Sequence, residues 1–248
     1  MAKKKSSKKG NKNNRPANEI ACVSSFLQSF KEIINKNDKD YIYCFRGQAV
    51  SNWEINSSLS RHSTLSNSSK EMYEEVIKNF PSDFHNINEF EFNDLAKMQH
   101  YSIPTNLIDV SFNPLIALFF ATEKGKGKNG VQSGIVYVFK IPKEIDGKEF
   151  VKYNGSDKIF VDNANFNETL FIKTDYSNER IKRQDGAFIY NPTNDNLYEK
   201  KWIIHRFIIQ NKNKLPIRNE LAMLNISYRT LFPELSEYHK EIEAKLRN

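Results

Sequence analysis

The 248-residue chain carries 37 Lys and Arg against 30 Asp and Glu, a formal net charge of +7, and 39% hydrophobic residues that include 18 Phe and 11 Tyr. This aromatic content, with only 9 Gly and 8 Pro, excludes collagen-like, mucin-like and fully disordered chains. No apolar run approaches the roughly 20 residues that cross a bilayer, so we predict no membrane partner, and two cysteines in no disulfide or metal pattern favour a reducing, cytoplasmic location.

The excess positive charge lies entirely in residues 1–18, which hold no acidic residue and seven basic ones: Lys3, Lys4, Lys5, Lys8, Lys9, Lys12 and Arg15. The rest of the chain therefore has 30 basic and 30 acidic residues and no net charge. Because residues 1–18 contain almost no apolar side chain, we predict a disordered basic tail there. Such a tail either only increases solubility or binds nucleic acid nonspecifically through phosphates.

Residues 19–142 predict helices interleaved with strands. In chain order these are a helix at 20–34, a strand at 41–45, helices at 72–80 and 92–99, a strand at 105–110, a helix at 115–121 and a strand at 135–141. Asn113 is a good N-cap for the 115–121 helix, and Pro114 fits its first position. This helix is apolar nearly all round, so we expect it to be buried.

Beyond Pro142 the apolar pattern is shorter and more broken. It predicts strands at 160–161, 170–172, 187–190 and 202–209, in a mostly antiparallel second half. Two helices are predicted to close the chain, one marked by Ile217, Leu221 and Leu224 and the other spanning 231–246.

Arg46 is the first candidate functional residue, because it directly follows the apolar strand at 41–45. A buried guanidinium is costly unless it is paired, and its planar fork can bind a phosphate or a carboxylate through two parallel hydrogen bonds. Gly47 would let a ligand approach the backbone closely. The structural alternative for Arg46 is a salt bridge, for instance with Asp109, and the residues alone leave both open.

A second concentration of polar residues lies among uniformly apolar neighbours, and comprises Gln99, His100, Thr105, Asn106, Asp109, Ser111 and Asn113. Polar groups that lead into a buried helix either satisfy one another or line a site. Arg180 and Gln184 form a third, weaker group. No His-Glu-x-x-His, Cys-x-x-Cys or Gly-rich phosphate loop is present in the sequence, so we predict no metal.

Five motifs follow one another in the chain: FRGQ at 45–48, W-x-I-x-SSL-x-R at 53–61, LAKMQHYSIPTNLIDVSFNPLIALFFA at 95–121, RIKRQDGAF at 180–188 and LFPEL at 231–235. In these motifs and their order the chain resembles the FRG domain family, and the resemblance spans about residues 20–245. It implies an FRG domain over residues 19–248.

The order of the family's motifs is in turn similar to that of ADP-ribosyltransferases of the Arg–Ser–Glu type. This implies one α+β domain with a split, mostly antiparallel sheet flanked by helices, and NAD as co-substrate. Arg46 would match the Arg that holds an NAD phosphate, and Ser111 the Ser on the second core strand. Gly47, Gln48 and His100 would line the NAD pocket with them.

Gln184 stands near the place of the family's catalytic Glu and is our third candidate catalytic residue. Gln can hydrogen-bond a ribose hydroxyl but supplies no charge, and such a loss typically costs on the order of a hundredfold in rate. Either the activity is weak, or Glu179 or Asp185 supplies the charge, or the fold only binds.

The resulting hypothesis is an NAD-dependent ADP-ribosyltransferase-like intracellular protein, a toxin or phage-defence effector whose acceptor is a protein or a nucleic acid. The alternative is a non-catalytic module of the same fold that senses a nucleotide or engages a protein partner. The absence of a late Glu favours the alternative, and the order of Arg46, Ser111 and the apolar helix favours the enzyme.

Overall fold

The structure is a computed structural model that describes residues 17–34, 38–66, 69–127, 130–145, 148–152, 155–160, 168–174, 178–193, 196–197, 201–234, 239 and 242. Its strands are β1 (Ala17–Ile20), β2 (Tyr41–Gln48), β3 (Leu107–Ser111), β4 (Lys126–Gly127), β5 (Gly130–Val131), β6 (Gly134–Pro142), β7 (Glu144–Ile145), β8 (Lys148–Glu149), β9 (Val151–Lys152), β10 (Leu170–Ile172), β11 (Gly186–Tyr190) and β12 (Ile203–Ile209).

The helices are α1 (Val23–Ile33), α2 (Ser63–Ser66), α3 (Ser69–Asn79), α4 (Phe92–His100), α5 (Pro114–Ala121), α6 (Glu179–Arg183), α7 (Asn211–Met223) and α8 (Tyr228–Leu231), with 3₁₀ turns at Leu59–Arg61 and Ile87–Glu89. In the part of the chain that the structure describes, no helix is both long enough and apolar enough to span a bilayer.

Eight strands form the main sheet in the order β1-β12-β6-β2-β3-β11-β10-β9. The outermost pairs, β1 with β12 and β10 with β9, are parallel, and the five pairs between them are antiparallel. The prediction of an α+β fold with a mostly antiparallel sheet is therefore confirmed. Two short hairpins, β4–β5 and β7–β8, lie outside this sheet.

The sheet is nearly divided at its centre. Strands β2 and β6 pair over eight residues, and β3 and β11 over five, whereas the register of β2 on β3 is the single pair Phe45–Ser111. Antiparallel strands that run on side by side would also pair Arg46, Gly47 and Gln48 with β3. The two strands separate instead, and we call the opening between residues 46–48 and β3 the β2–β3 cleft.

Both faces of β6 are buried, which explains its uninterrupted apolar sequence. Ile135, Tyr137 and Phe139 pack into a core with α3, α4 and β11, while Val136 and Val138 pack into a second core with α1, α5 and α7. The alternation follows from the two-residue period of a strand. The sheet thus separates two hydrophobic cores.

Helix α5 packs into the second of these cores, with Val136 and Val138, which confirms the prediction that it is buried. Asn113 caps it, with Oδ1 accepting from the Leu115 N–H at 2.9 Å, and Pro114 occupies the first turn. The helix approaches the sheet through two glycines: a Cβ on Gly47 would lie 1.8 Å from the Ala117 carbonyl oxygen, and one on Gly134 would lie 1.9 Å from that of Ala121. Gly47 therefore admits the close approach of a helix backbone, and it also lines a cavity that is described below.

The N-terminal prediction is wrong in two details. Ile20 belongs to β1, so α1 begins at Val23 and not at residue 20. Ala17 and Asn18, which we assigned to the tail, also lie in β1 and pair with Arg206 and Phe207 of β12. Composition did not reveal this strand, because an exposed edge strand is held by its backbone hydrogen bonds. The seven basic residues of the tail lie outside the described residues.

The C-terminal predictions agree in part. Strands β10, β11 and β12 and helix α7 lie where the apolar pattern placed them. Phe160 is a bend and not a strand residue, and Val161 lies outside the described residues. Most of the predicted last helix, 231–246, also lies outside them, and Leu231 ends the short helix α8.

Candidate functional site

Arg46 bridges the β2–β3 cleft. Its Nη1 donates to the backbone carbonyl of Asp109 at 2.6 Å, while the Asp109 carboxylate lies 4.0 Å away and is mostly exposed. The strands have separated here, so this carbonyl has no ladder partner on β2, and the guanidinium takes that place. Arg46 is thus held mainly by a backbone oxygen and not by the salt bridge that the sequence offered as the alternative.

The Arg46 guanidinium keeps unused donor capacity. Its side chain is 16% exposed, and its Nε is buried without a hydrogen-bond partner among the described residues. Burial lowers the pKa of Arg46, nearby Arg61 lowers it further, and Asp109 opposes both. Arg stays protonated in proteins despite such shifts, so a fixed positive charge lies at the cleft.

Two cavities adjoin Arg46 and share three lining residues, Arg46, Asn56 and Arg61. The larger has a volume of about 670 Å³. Its charged and polar lining residues are Arg46, Gln48, Asn52, Glu54, Asn56, Arg61, Glu123 and Lys124, and Gly47, Ala49, Trp53 and Phe120 complete the lining. The smaller has a volume of about 250 Å³ and is lined by polar groups of Ser58, Gln99 and Asp109 beside the shared three. Two guanidiniums therefore stand at the wall between the cavities.

Three residues that line the larger cavity each carry a buried polar atom without a hydrogen-bond partner among the described residues. Gln48 donates through Nε2 to the Glu54 carbonyl at 3.2 Å, and Asn56 through Nδ2 to the Glu54 carboxylate at 2.9 Å. The amide oxygens of the same two side chains, Gln48 Oε1 and Asn56 Oδ1, are buried without a partner among the described residues, and so is Arg46 Nε. Native proteins rarely leave buried polar groups unpaired, so three in one cavity indicate a ligand site.

The segment 53–61 supplies four residues of the larger cavity, Trp53, Glu54, Asn56 and Arg61. Ile55 and Leu59 are fully buried and anchor it, and the Ile55 N–H donates to Asn196 Oδ1 at 3.1 Å. Arg61 is oriented by donation from its Nε to the Ser57 carbonyl at 3.3 Å. Trp53 is 46% exposed beside the cavity. Apolar anchors at 55 and 59 thus turn the residues between them toward the cleft.

The structure brings Ser111 and Gln184 together, but in a place apart from both cavities. Ser111 is buried, and its Oγ donates to the Gln184 carbonyl at 2.7 Å and accepts from the Asn113 N–H at 3.0 Å. Gln184 Nε2 donates to the Leu231 carbonyl at 3.3 Å. Because Phe45 pairs with Ser111, their side chains share one face of the sheet and Arg46 points to the other.

His100 also lies outside the two cavities. Its Nδ1 is 3.5 Å from Glu234 Oε1, which joins α4 to the segment after α8. Glu179 and Asp185, the acids considered as substitutes for a late Glu, line neither cavity. Glu179 is paired with Lys182 and Arg183 on its own helix, and Asp185 occupies a turn with φ of 43°. In the described residues no three His, Cys, Asp or Glu side chains form a group suited to a metal ion.

Comparison with known families gives one match. The FRG domain matches residues 41–130, which contain Arg46, the 53–61 segment, α4, β3 and α5. The chain carries an FRG domain. No curated protein and no solved structure matches the chain.

The matched part of the FRG domain contains every residue that lines either cavity. Gln184 lies beyond it, as do the motifs at 180–188 and 231–235. The candidate site is therefore formed by the FRG match itself, and Arg46 and Arg61 are the charged residues that line both of its cavities.

The sequence analysis named Arg46, Gly47 and Gln48, which line the larger cavity, but missed Trp53, Glu54, Asn56 and Arg61. The motif that carries them, W-x-I-x-SSL-x-R, contributed only to the family resemblance. A signal was present, because the buried residues Ile55, Ser57 and Leu59 alternate with polar ones over five positions.

Proposed function

We propose that this FRG domain binds a phosphate-bearing nucleotide, with NAD as the candidate, in the larger cavity of the β2–β3 cleft. The observation that carries the proposal is the pair of guanidiniums, Arg46 and Arg61, that line the same wall, one of them with a buried and unused Nε. Arginine binds phosphate oxygens through its planar fork, and two adjacent forks suit a pyrophosphate.

The rest of the cavity supports this ligand class. Its volume of about 670 Å³ lies within the range of small-molecule sites, roughly 300–1,000 Å³. Trp53 and Phe120 supply flat apolar surface for a base or a nicotinamide ring. The unused oxygens of Gln48 and Asn56 can accept from ribose hydroxyls or base amino groups.

An ADP-ribosyltransferase-like activity is the finer part of the proposal, and it rests on the family resemblance together with Arg46. Ser111 and Gln184 are engaged with backbone groups away from the cavity, so they would act as positioning residues for the turns around β3 and not as groups that touch NAD. That engagement favours the second candidate function, a nucleotide-sensing module that releases no nicotinamide.

The binding proposal is tested by calorimetric titration of NAD into the wild type, Arg46→Ala and Arg46→Lys. A hydrogen bond to a charged group contributes about 1.5–3 kcal/mol, so Arg46→Ala should weaken binding at least about tenfold and Arg46→Lys should recover only part of it. Arg183→Ala, on the exposed face of α6, is the matched control and should bind as the wild type does. Equal NAD affinity in Arg46→Ala and the wild type would refute the proposal.

A second measurement separates the enzyme from the sensing module. The wild type is incubated with NAD labelled in the adenosine part, together with cell lysate, and both nicotinamide release and transfer of label are followed. Release with label on protein or nucleic acid supports the transferase. Binding without release supports the sensing module.

A further inference from the structure

Glu54 is a solvent-exposed residue that lines the larger cavity. Its Oε2 accepts from Asn56 Nδ2 at 2.9 Å, and its backbone carbonyl accepts from Gln48 Nε2 at 3.2 Å. The next residue, Ile55, is fully buried, so the backbone on that side is anchored as well. Both side chains that hydrogen-bond to Glu54 are neutral amides: Asn56 contacts the carboxylate and Gln48 the backbone carbonyl, so neither compensates the negative charge.

The other carboxylates near the cleft are already engaged. Glu123 lines the same cavity, but Arg218 lies 3.0 Å from its Oε1 and the Tyr228 hydroxyl donates to it. Asp109 lines the smaller cavity and accepts from Gln99 Nε2 at 2.6 Å. Among the described residues, no Lys or Arg forms an ion pair with Glu54. It is the negative charge of the larger cavity that a ligand can compensate.

The larger cavity is lined by three positive side chains, Arg46, Arg61 and the exposed Lys124, and by the Glu54 carboxylate, which follows the aromatic Trp53 in the chain. A ligand of complementary charge has two adjacent anionic groups and one flat cationic ring. Oxidised NAD has this pattern, because its pyrophosphate is doubly negative and its nicotinamide ring is positive. The reduced form has the same phosphates but a neutral ring.

We propose that Glu54 is the specificity-determining residue that selects a cationic ring, so that the site prefers oxidised over reduced NAD. This inference rests on the proposed function, because Arg46 and Arg61 must first hold the phosphates. The ring lies against Trp53, with its charge near the Glu54 carboxylate, and the indole face adds a cation–π attraction. Glu54 is exposed to solvent, so its contribution is that of a screened ion pair.

The test is calorimetric titration of NAD⁺, NADH and ADP-ribose into the wild type and Glu54→Gln. A screened pair is worth roughly a two- to fivefold change in affinity, so the wild type should bind NAD⁺ tighter than NADH by about that factor. Glu54→Gln keeps an oxygen that can accept from Asn56 and removes only the charge. It should bind NAD⁺ and NADH equally, and ADP-ribose as the wild type does, since ADP-ribose has no nicotinamide.

The matched control is Glu74→Gln, which removes one exposed carboxylate on α3, away from the cavity, and should keep the full preference for NAD⁺. The preference should also shrink as salt is raised, because screening weakens exposed pairs. Equal binding of NAD⁺ and NADH by the wild type, or a preference that survives Glu54→Gln, overturns the assignment of Glu54 while ADP-ribose binding still supports the phosphate site. If none of the three ligands binds the wild type, the proposed function falls and this inference with it.

Discussion

Gly47 of β2 lies directly against the backbone carbonyl of Ala117 in α5, so close that a Cβ at position 47 would stand 1.8 Å from that oxygen. This contact fixes the distance between α5 and the sheet at Gly47, the residue directly after Arg46. The position of Arg46 at the cleft therefore depends on how closely α5 packs behind it.

Gly47→Ala should destabilise the protein by about 1–3 kcal/mol or more, because the methyl group meets backbone, which cannot rotate away as a side chain would. The free energy of unfolding from urea titrations measures this. Gly186→Ala is the comparison, since its Cβ would have no neighbour closer than 3.3 Å, the distance to the Cγ2 and the backbone oxygen of Ile181. A loss at position 47 no larger than the loss at 186 would contradict the close packing of α5.

Phe119→Ala should cost roughly 3–5 kcal/mol, the usual range for a buried phenylalanine. The side chain is 1% exposed, packs edge-on against Tyr228 at 5.2 Å between ring centroids, and has the Arg218 guanidinium 4.7 Å from its ring. Thermal and chemical denaturation report the change. Phe80→Ala, at a position 56% exposed, should stay within about 0.5 kcal/mol of the wild type. If Phe119→Ala had the same unfolding temperature as Phe80→Ala, α5 would lie outside the core.

Lys214 gives the protein a pH-dependent stability. Its side chain is buried in α7, and Nζ donates to the carbonyls of Ala49 at 2.6 Å and Glu123 at 2.9 Å. Burial, and then the nearby Arg218, lower the pKa of Lys214 from 10.5 to about 8. Between pH 8 and 10.5 the unfolded chain therefore binds the proton more tightly than the folded one, so stability rises with pH in this window.

Lys214→Met isolates this effect from other titrating groups. The difference in unfolding free energy between wild type and variant should grow in favour of the wild type from pH 8 to 10.5, by at most about 3 kcal/mol. A neutral amine still has two N–H donors, so both carbonyl contacts can persist at high pH. If the difference in unfolding free energy stays flat over this window, folding does not lower the pKa of Lys214.

Deletion of residues 1–16 should leave both folding and NAD binding unchanged, because it removes the seven basic residues but no residue of β1. Deletion of residues 1–20 should be destabilising, since it removes β1 and the buried Ile20. Urea titrations of both variants test this, and equal stability of the two would show that β1 contributes nothing.

The same 1–16 deletion tests nucleic-acid binding. If the tail binds RNA or DNA, affinity should be independent of sequence and fall with salt on a log–log slope no steeper than about −6, given seven basic groups at about −0.9 per phosphate. Binding of full-length and shortened protein to unrelated RNA and DNA at two salt concentrations is the measurement. Equal affinity of the two forms would point to a site on the remainder of the chain, which has no net charge.

The sequence by itself determined the elements whose cause is local. The apolar runs at β2, β6 and β12 predicted strands, and Asn113 with Pro114 predicted where α5 begins. The sequence also pointed to Arg46, because a guanidinium that directly follows an apolar strand needs a partner. Each of these follows from periodicity or capping within about a dozen residues, so no distant contact was required to see them.

Only the tertiary structure decided what these elements face. The partner of Arg46 is the backbone oxygen of Asp109, 63 residues away, and it becomes available because β2 and β3 separate after one pair. Ser111 and Gln184 meet each other and not Arg46, since strand register sets which face a side chain occupies. Glu54 and Asn56 reach the cavity from an irregular segment held by buried contacts with distant parts of the chain. The alternation of buried and polar residues at 55–59 is a local signal, and it does not show which distant residues these side chains will meet.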